Sequence, residues 1–429
     1  MKQSIFNNYI PLQSGAILGY NAMTRRFAVF SDDPQKLLGN SNSTDAGHSD
    51  DYRRLVDGGF LIDNDIDETK ILQDEIRVMD FNDKIAELHV NPTLDCNFRC
   101  WYCYEVHQKD SEMRPEVLDA VKKYLDKALT APLTYFRLSF FGGEPLLKFD
   151  TVCRPIIMYA DTLCKKHDIH LHVSFTTNSY LLTPEIADFL SGYDCGMQIT
   201  LDGHREFHNR VRFAPGGIGS YDRIISNVAM LANAGINIVL RINYTLGNID
   251  SVGEIITDIS RQHLVSPGNI SVDFQRVWQD KHNGGEEKVK LLIGEYGRRL
   301  KEIGINYSLP DLHNPRLASC YGDKANYVCI NYNGDFFKCT ARDFRRENRA
   351  GYLAPDGSLV WDSDCKETWE RAKFTNQACH VCRIAPICLG GCRQRNLESQ
   401  QNGVCPMGYD EARKDDLILQ RFEHRFLNG

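Results

Sequence analysis

The chain has 429 residues, a length that predicts about three domains or one large domain with attached segments. Apolar residues make up 42% and charged residues 25%, a composition that favours a folded globular protein over a disordered one. The net charge of −7 argues against a general nucleic-acid binder, and no run of about 18 apolar residues predicts a membrane span. The first residues lack the apolar stretch of a secretory signal, which favours a cytoplasmic protein.

The first 85 residues are predicted to form a small module of their own. In chain order the pattern predicts three strands over 8–12, 15–22 and 26–30, a helix over 33–38 and a polar loop over 39–51. A second helix over 50–57 and a last strand over 60–62 follow. With 9 basic and 14 acidic residues, the module has a net charge of 9 − 14 = −5. A winged-helix-like fold that does not bind DNA is therefore expected.

From residue 86 the pattern alternates between strands and helices. Six strands are predicted over 87–90, 136–141, 171–176, 197–201, 238–244 and 271–277. Helices are predicted between these strands, over 115–129, 184–190, 221–234 and 252–262. A long helix over 286–304 is predicted to close the region. Such β/α units predict an α/β fold with a parallel sheet, open or barrel-like, and chemistry at the carboxyl ends of its strands. The chain beyond about residue 310 is predicted to be loop-rich.

Cysteine is the anomaly of the composition, because 15 cysteines occur without an export signal. Disulfides are rare in the cytosol, so closely spaced thiols there favour metal binding or redox chemistry. Cys96, Cys100 and Cys103 form a C-x3-C-x2-C motif directly after the first strand of the β/α region. Three thiolates on one loop suit an iron–sulfur cluster and leave one iron without a protein ligand. A zinc loop or buried structural thiols are the alternatives.

This motif resembles that of the radical S-adenosylmethionine (radical SAM) superfamily, in which an aromatic residue precedes the last cysteine, as Tyr102 does here. The resemblance implies a partial (β/α)6 barrel. It also implies a [4Fe–4S] cluster whose open iron binds S-adenosylmethionine (SAM). One-electron reduction would then cleave SAM to a 5′-deoxyadenosyl radical that abstracts hydrogen from a substrate.

A glycine-rich loop after the second strand agrees with this resemblance. Gly142, Gly143, Glu144 and Pro145 match the family's GGEP loop, which contacts the SAM amino group. Glycines allow close backbone approach, and a carboxylate accepts charge-assisted hydrogen bonds from an ammonium. By itself a Gly-Gly pair is more often an ordinary turn.

Polar residues at the next strand ends also match the family. Asn178 and Ser179 lie where relatives often have Asn-Gly, so Ser179 departs from the pattern. The resemblance implies that Thr200 offers its hydroxyl to the SAM ribose or carboxylate, and that Arg212 pairs with the SAM carboxylate or orients its loop. Strand-end polar groups that only cap helices are the alternative reading.

Seven cysteines near the C-terminus form a second array with one glycine, Gly334, between the first two. They are Cys320, Cys339, Cys379, Cys382, Cys388, Cys392 and Cys405. A zinc ribbon needs only four cysteines in two close pairs. The array resembles the SPASM domain, the twin-cluster extension of radical SAM enzymes that modify peptides and proteins.

The SPASM resemblance implies a ligand set for two auxiliary [4Fe–4S] clusters, and so three clusters in all. Cys320, Cys339 and Cys392 would hold the first, with Cys329 as the candidate fourth ligand or else a buried thiol. The second would be held by Cys379, Cys382, Cys388 and Cys405. The remaining cysteines match no motif and are expected to be structural thiols, at Cys153, Cys164, Cys195 and Cys365.

Together these resemblances predict a radical SAM peptide maturase in three parts. They are a leader-recognition module over 1–85, a radical SAM core over 86–309 and a SPASM domain over 310–429. The substrate would be a ribosomally synthesised precursor peptide with a leader segment, and the product a thioether or carbon–carbon crosslink, with epimerisation as an alternative. Flavodoxin or ferredoxin is the expected reductant, and no nucleic-acid or membrane partner is expected.

The same residues also bear on other function classes. An anaerobic sulfatase-maturating enzyme shares the core and the array, but usually has Asp where Thr340 follows Cys339 here. Asp343 is the candidate catalytic base, with a surface salt bridge as the equal alternative. A metal-storage scaffold is disfavoured by the intact motifs, and a DNA-binding redox regulator by the acidic first module.

Overall fold

The computed structural model describes residues 1–31, 34, 50–262, 268–281, 284–308, 319–399 and 401–426. The predicted helix over 33–38 and polar loop over 39–51 lie almost wholly outside these residues. The chain divides into two compact units. The first comprises Met1–Asn82, Asn314–Ala325 and Lys366–Gly429, and the second comprises Asp83–His313 and Asn326–Cys365.

The described helices and strands are numbered here in chain order. The strands are β1 (Lys2–Gln3), β2 (Asn7–Pro11), β3 (Ile17–Asn21), β4 (Arg26–Phe30), β5 (Leu61–Ile62), β6 (Ile85–Asn91), β7 (Tyr135–Phe140), β8 (His170–Thr177), β9 (Asp194–Leu201), β10 (Phe213–Ala214), β11 (Ile218–Gly219), β12 (Asn237–Tyr244), β13 (Ile270–Arg276), β14 (Asn306–Ser308), β15 (Tyr327–Asn331), β16 (Asp335–Phe337), β17 (Gly351–Leu353) and β18 (Leu359–Trp361). The helices are α1 (Asp50–Asp57), α2 (Glu68–Asp80), α3 (Pro115–Ala128), α4 (Arg154–His167), α5 (Pro184–Ser191), α6 (Arg205–Val211), α7 (Tyr221–Asn233), α8 (Val252–Arg261), α9 (Glu286–Glu302), α10 (Cys365–Glu370), α11 (Gln377–His380), α12 (Ala385–Cys388), α13 (Arg393–Glu398) and α14 (Glu411–Phe426).

The first unit joins N-terminal strands and C-terminal helices around a shared apolar core, and a smaller cluster forms around Phe30, Leu55, Phe60 and Leu61. Its three-stranded antiparallel sheet has the order β2–β3–β4, and β1 pairs separately with β5. Helix α2 begins after Asp67, whose side chain accepts a hydrogen bond from the Lys70 amide at 3.0 Å. Leu72 and Ile76, one helical turn apart, place one face of α2 in the core. The core also contains Phe6, Ile10, Leu18, Tyr20, Ala22, Phe374, Ile384, Leu389, Leu417 and Ile418.

The second unit contains an 11-stranded mixed sheet in the order β14–β13–β12–β9–β8–β7–β6–β15–β16–β17–β18. The strands from β14 to β15 are parallel to their neighbours, and the last three are antiparallel. This confirms the predicted α/β class and its parallel sheet. The segment predicted to be loop-rich also contributes β15, which pairs with β6 and extends the core sheet.

The two faces of this sheet differ in polarity. Helices α3, α4, α5, α7, α8 and α9 pack on an apolar face built from alternate strand residues such as Leu88, Leu138 and Val173. The opposite face has polar residues at the intervening positions, including His89, Ser139 and Ser174. The hydroxyl oxygens of Ser139 on β7 and Ser174 on β8 lie 2.6 Å apart. A parallel sheet with one polar face leaves that face available for a polar ligand.

The described residues include no helix that is both long and apolar enough to cross a membrane.

Candidate active site

The loop that follows β6 places three cysteines at the carboxyl end of the parallel sheet. Its base is fixed because the Thr93 hydroxyl donates to the Ser111 carbonyl at 2.6 Å, and the Ser111 hydroxyl accepts from the Leu94 amide at 2.9 Å. Between these points the chain presents the predicted cluster ligands Cys96, Cys100 and Cys103. All three are free thiols.

These thiols need a positively charged partner to ionise. Burial raises the pKa of Cys96 to about 12 and also raises the pKa of Cys100. A bound iron would supply the compensating charge. The Phe98 amide donates to Cys96 Sγ at 3.4 Å, the kind of bond that would tune a cluster. The donor set therefore fits an iron–sulfur cluster.

Within the described residues, no three His, Cys, Asp or Glu side chains converge as the ligands of a single metal ion. In a four-iron cluster each thiolate binds a different iron, so the cysteines stand farther apart than the ligands of one ion do.

The two glycines after β7 lie directly against the cysteine loop. Gly142 has φ +78°, and a Cβ there would lie 2.6 Å from Cγ of Asn91. Gly143 has φ +51°, and a Cβ there would lie 2.1 Å from the carbonyl oxygen of Asp95. Only glycine permits this approach together with a positive φ. The glycine pair thus fixes the distance between the second strand's loop and the cysteine loop.

Glu144 ties two strand ends together. Its backbone amide donates to the Asp95 carbonyl at 2.8 Å. Its carboxylate accepts from the Thr177 hydroxyl at 2.7 Å, the Asn178 amide at 2.7 Å and the Leu146 amide at 3.0 Å. Burial raises the pKa of this carboxyl group, while these hydrogen bonds oppose the shift. Both carboxylate oxygens are engaged within the protein, and Pro145 begins the short turn that follows.

Asn178 connects the third strand end to the cysteine loop. Its side-chain amide donates to Oδ1 of Asn97 at 2.8 Å and lies 3.8 Å from Cys96 Sγ. Ser179 has φ +60°, a left-handed backbone conformation that favours glycine. Its buried hydroxyl has no hydrogen-bond partner among the described residues. Thr200 is buried near the end of β9, on the polar side of the sheet.

A polar network joins the cysteine loop to β9 and β12. The Tyr102 hydroxyl donates to Oδ2 of Asp202 at 2.8 Å and accepts from Arg212 at 2.7 Å and from Asn243 at 3.1 Å. Arg212 also forms an ion pair with Asp202, and both side chains are largely buried. Next to this network is a cavity of about 130 Å³, lined in part by Trp101, Tyr102, Asp202, Thr245 and Asn248.

Glu105 is a partly buried acid that the sequence did not single out. Its carboxylate accepts from the Gly143 amide at 2.7 Å. Desolvation, with a smaller effect from the charge of Glu144, raises its pKa to about 7. It therefore holds the backbone amide of the second glycine, Gly143. No motif marks it, and the same holds for Asn243, whose only signal is its place at a strand end.

Cys329 is wholly buried in β15, where it is the register partner of His89 on β6. Burial raises its pKa well above the ordinary value, and the charges of Glu105 and Cys339 add to the shift. Asp343 lies in the same unit, paired with Arg345 at 3.0 Å and hydrogen-bonded to Asn348. The geometry of Asp343 is that of the salt bridge weighed as the alternative to a catalytic base, and its catalytic role stays a prediction.

The first unit gathers the four cysteines predicted for the second auxiliary cluster. They line one cavity, at Cys379, Cys382, Cys388 and Cys405. Burial raises the pKa of Cys379 to about 11 and that of Cys388 to about 12, and the neighbouring thiols add to both shifts. Four converging thiols of this kind fit a four-iron cluster. Cys320 and Cys392 also belong to this unit, whereas Cys329 and Cys339 belong to the other.

The chain is similar in sequence to several known proteins. The 23% identical cyclopropyl synthase TigE of Paramaledivibacter caminithermalis is a radical SAM protein, and the match covers 58% of this chain and 55% of TigE. The chain thus spans about half of that relative. The mycofactocin maturase MftC of Mycolicibacterium smegmatis is 26% identical over 70% of this chain and 76% of its own length.

Solved structures share the fold at low identity. The structure of anSMEcpe with bound AdoMet matches with a TM-score of 0.60 and 18% identity, over 80% of this chain and 98% of that one. Streptococcus suis SuiB bound to S-adenosylmethionine matches with a TM-score of 0.55 and 16% identity, over 94% of this chain and 100% of that one. Residues 90–259, which contain the cysteine loop and its surrounding strand ends, match the model of the radical SAM superfamily. For these residues the match implies the family's [4Fe–4S] cluster and SAM.

Proposed function

We propose that this enzyme modifies a ribosomally synthesised precursor peptide by radical SAM chemistry. One observation above all supports the proposal. The ends of β7, β8, β9 and β12 supply polar groups that surround the Cys96–Cys100–Cys103 loop, through Glu144, Asn178 and the Tyr102 network. The relatives TigE and MftC support the peptide-maturase class.

In this proposal the cysteine loop holds the cluster and the strand ends hold SAM. Bound there, SAM would accept one electron from the reduced cluster, and its C–S bond would break to give methionine and a 5′-deoxyadenosyl radical that abstracts hydrogen from the substrate. Gly142 and Gly143 keep the loop backbone close to the cofactor, and Glu144 holds the ends of β7 and β8 together. Arg212 pairs with Asp202 and donates to the Tyr102 hydroxyl, which supports the role of orienting its loop over that of binding the SAM carboxylate. Thr200 offers a hydroxyl on the polar face.

The polar face of the sheet supports a peptide as substrate. Side chains such as Arg241 and Asp273, paired at 3.0 Å, alternate with apolar positions across the strands. A peptide has a donor and an acceptor at most residues, and these groups need polar partners when they leave water. An apolar face would not provide them.

We further propose two auxiliary clusters, with the ligands that the sequence predicts. The first uses Cys320, Cys339 and Cys392, with Cys329 as fourth ligand. The second uses the four cysteines that line one cavity. An auxiliary cluster held by these cysteines would accept the second electron that radical coupling releases, which is why we propose a thioether or carbon–carbon crosslink as the product. Three clusters require about 12 irons per chain.

The strand β4 supports leader recognition by the first unit. It lies at the edge of the three-stranded sheet and pairs only with β3 among the described strands. An extended peptide can add to such an edge by main-chain hydrogen bonds. Val29, which is 62% exposed, offers an apolar contact beside that edge. A flavodoxin or ferredoxin as reductant and a cytoplasmic location complete the proposal.

Reductive cleavage of SAM tests the core of the proposal. The Cys96→Ala, Cys100→Ala, Cys103→Ala triple variant should form no 5′-deoxyadenosine with dithionite and should keep about 8 of about 12 irons after reconstitution. Cys365→Ala, an exposed thiol outside every motif, is the matched control and should behave as wild type. Cleavage of SAM by the triple variant would refute the cluster assignment.

A second candidate function is sulfatase maturation. A cysteine-type anaerobic sulfatase-maturating enzyme of Clostridium novyi is 25% identical over 77% of this chain and 91% of its own length. The TM-score is slightly higher for anSMEcpe, 0.60 against 0.55 for SuiB, but the SuiB match covers 94% of this chain, against 80% for anSMEcpe. Because SuiB has also been solved bound to a precursor peptide, we place the peptide-maturase class first. Incubation with a cysteine-containing sulfatase peptide distinguishes them, because only a sulfatase maturase converts that cysteine to an aldehyde-bearing formylglycine.

A further inference from the structure

Four charged side chains are buried together in the first unit, and they are called the Asp80 network here: Asp80, Asp323, Lys373 and Arg393. Each side chain is at most 6% exposed. Asp80 Oδ2 lies 2.9 Å from Nη2 of Arg393 and 3.1 Å from Nζ of Lys373. Nζ of Lys373 also lies 3.1 Å from Oδ2 of Asp323. Two carboxylates thus balance two cations where an unpaired charge would be costly.

The network joins the chain segments that contain two predicted cluster ligands. Arg393 directly follows Cys392, and its amide donates to Oδ1 of Asp323 at 3.0 Å. Nε of Arg393 donates to the Asp323 carbonyl at 3.2 Å. The Asp323 amide in turn donates to the Cys320 carbonyl at 3.0 Å. The segment that starts at Cys320 is therefore fastened to the residue next to Cys392.

Helix α2, from the N-terminal part of the chain, holds the Cys320 segment and Arg393 together. Asp80 is the last residue of α2. Its carboxylate also accepts from the Ser319 hydroxyl, and its carbonyl accepts from the Ala325 amide at 2.7 Å. The guanidinium of Arg393 donates to the Trp369 carbonyl at 2.9 Å and lies 4.6 Å from the centre of the Trp369 ring.

We propose that the Asp80 network positions Cys320 and Cys392 for the first auxiliary cluster, so that α2 of the N-terminal module is required to load that cluster. This inference rests on the proposed auxiliary clusters. Its physical basis is preorganisation, because ligands far apart in sequence bind well only when the structure holds them in place. Without the Asp80 carboxylate, two buried cations would share one acid and would repel each other.

The test removes the negative charge of the Asp80 side chain and keeps its size and shape. After anaerobic reconstitution, Asp80→Asn should contain about two thirds of the wild-type iron while it still forms 5′-deoxyadenosine at the wild-type rate. The Cys320→Ala, Cys392→Ala double variant marks the iron level for loss of this cluster alone. The matched control is Asp74→Asn on the same helix, whose side chain is 62% exposed and paired with Lys70, and it should keep all its iron.

The other possible iron contents also support or overturn the inference. A folded Asp80→Asn protein with the full wild-type iron would overturn the inference. If that variant does not fold, Lys373→Met replaces it, because one acid then still pairs with Arg393. Loss of one third of the iron in Lys373→Met supports the inference, and full iron overturns it. A wild-type protein with only about 4 irons would instead refute the auxiliary clusters, and the inference would fall with them.

Discussion

At the scale of single residues, the site depends on how closely backbone segments approach one another. Gly143 illustrates this, because the Asp95 carbonyl occupies the space a Cβ would need and the Gly143 amide donates to Glu105. The sequence predicted the glycine from a motif. The contacts that make it necessary involve Asp95 and Glu105, which no motif distinguishes.

Gly143→Ala should therefore destabilise the protein more than a positive φ alone explains. The new Cβ would lie 2.1 Å from the Asp95 carbonyl, so the cysteine loop must move. Gly216→Ala is the matched control, since Gly216 has φ +83° and open space around it. The control should cost about 1–2 kcal/mol, and Gly143→Ala more than that, in denaturant unfolding. Equal costs would contradict the close approach.

Ser179→Gly should stabilise the protein by about 1 kcal/mol. It removes the cost of a left-handed backbone and of a buried, unpaired hydroxyl, against the smaller entropic cost of glycine. Asp168→Gly, at an exposed position with φ +56°, relieves only the backbone and should gain less. Thermal unfolding of both variants measures the difference. A destabilised Ser179→Gly protein would refute this account.

At the scale of elements, the strand ends matter more than the strands. β7, β8, β9 and β12 each end in residues that meet the cysteine loop or its network, and the parallel order brings those ends to one edge. The edge strand β4 in the first unit is the corresponding feature for peptide recognition, and it can be tested separately from the chemistry.

Val29→Asp should weaken binding of the leader peptide at least about tenfold, because a charge replaces the exposed apolar contact beside β4. SAM cleavage without peptide should be unchanged. The matched control is Val78→Asp on α2, since Val78 is 73% exposed and lies in the same unit. Fluorescence anisotropy of a labelled leader peptide gives both affinities. Wild-type affinity in Val29→Asp would count against recognition at this edge.

At the scale of the whole molecule, the compact units do not follow the order of the chain. The N-terminal strands and α2 share a core with the cysteine-rich C-terminal helices, through residues such as Leu72, Ile76, Ile384 and Leu417. The predicted three-part division by sequence stays a prediction about function. The shared core nevertheless has a direct consequence for any truncation.

Deletion of residues 1–82 should leave the C-terminal helices of the first unit without half of their core. Buried side chains such as Phe6, Leu18 and Ile76 would be lost, each at a cost of about 2–5 kcal/mol in comparable core truncations. The truncated protein should aggregate or load little auxiliary iron, as gel filtration and iron analysis would reveal. A monomeric truncated protein with the wild-type iron content would contradict the shared core. Loss of peptide modification by this variant alone would not identify a leader-binding module.

The sequence by itself determined the α/β class, the boundaries of most core strands and the cysteine loop, because these depend on local periodicity and on spacing. It also identified the residues of the glycine loop and the strand ends as candidates. Only the tertiary structure decided the pairing of β15 with β6 and the contact of Glu105 with the Gly143 amide. The same holds for the contacts that join α2 to the segments of Cys320 and Cys392. Those features arise from contacts between residues that are far apart in sequence and have no periodic or motif signal. Packing and the balance of buried charge select them, and both depend on the folded chain as a whole.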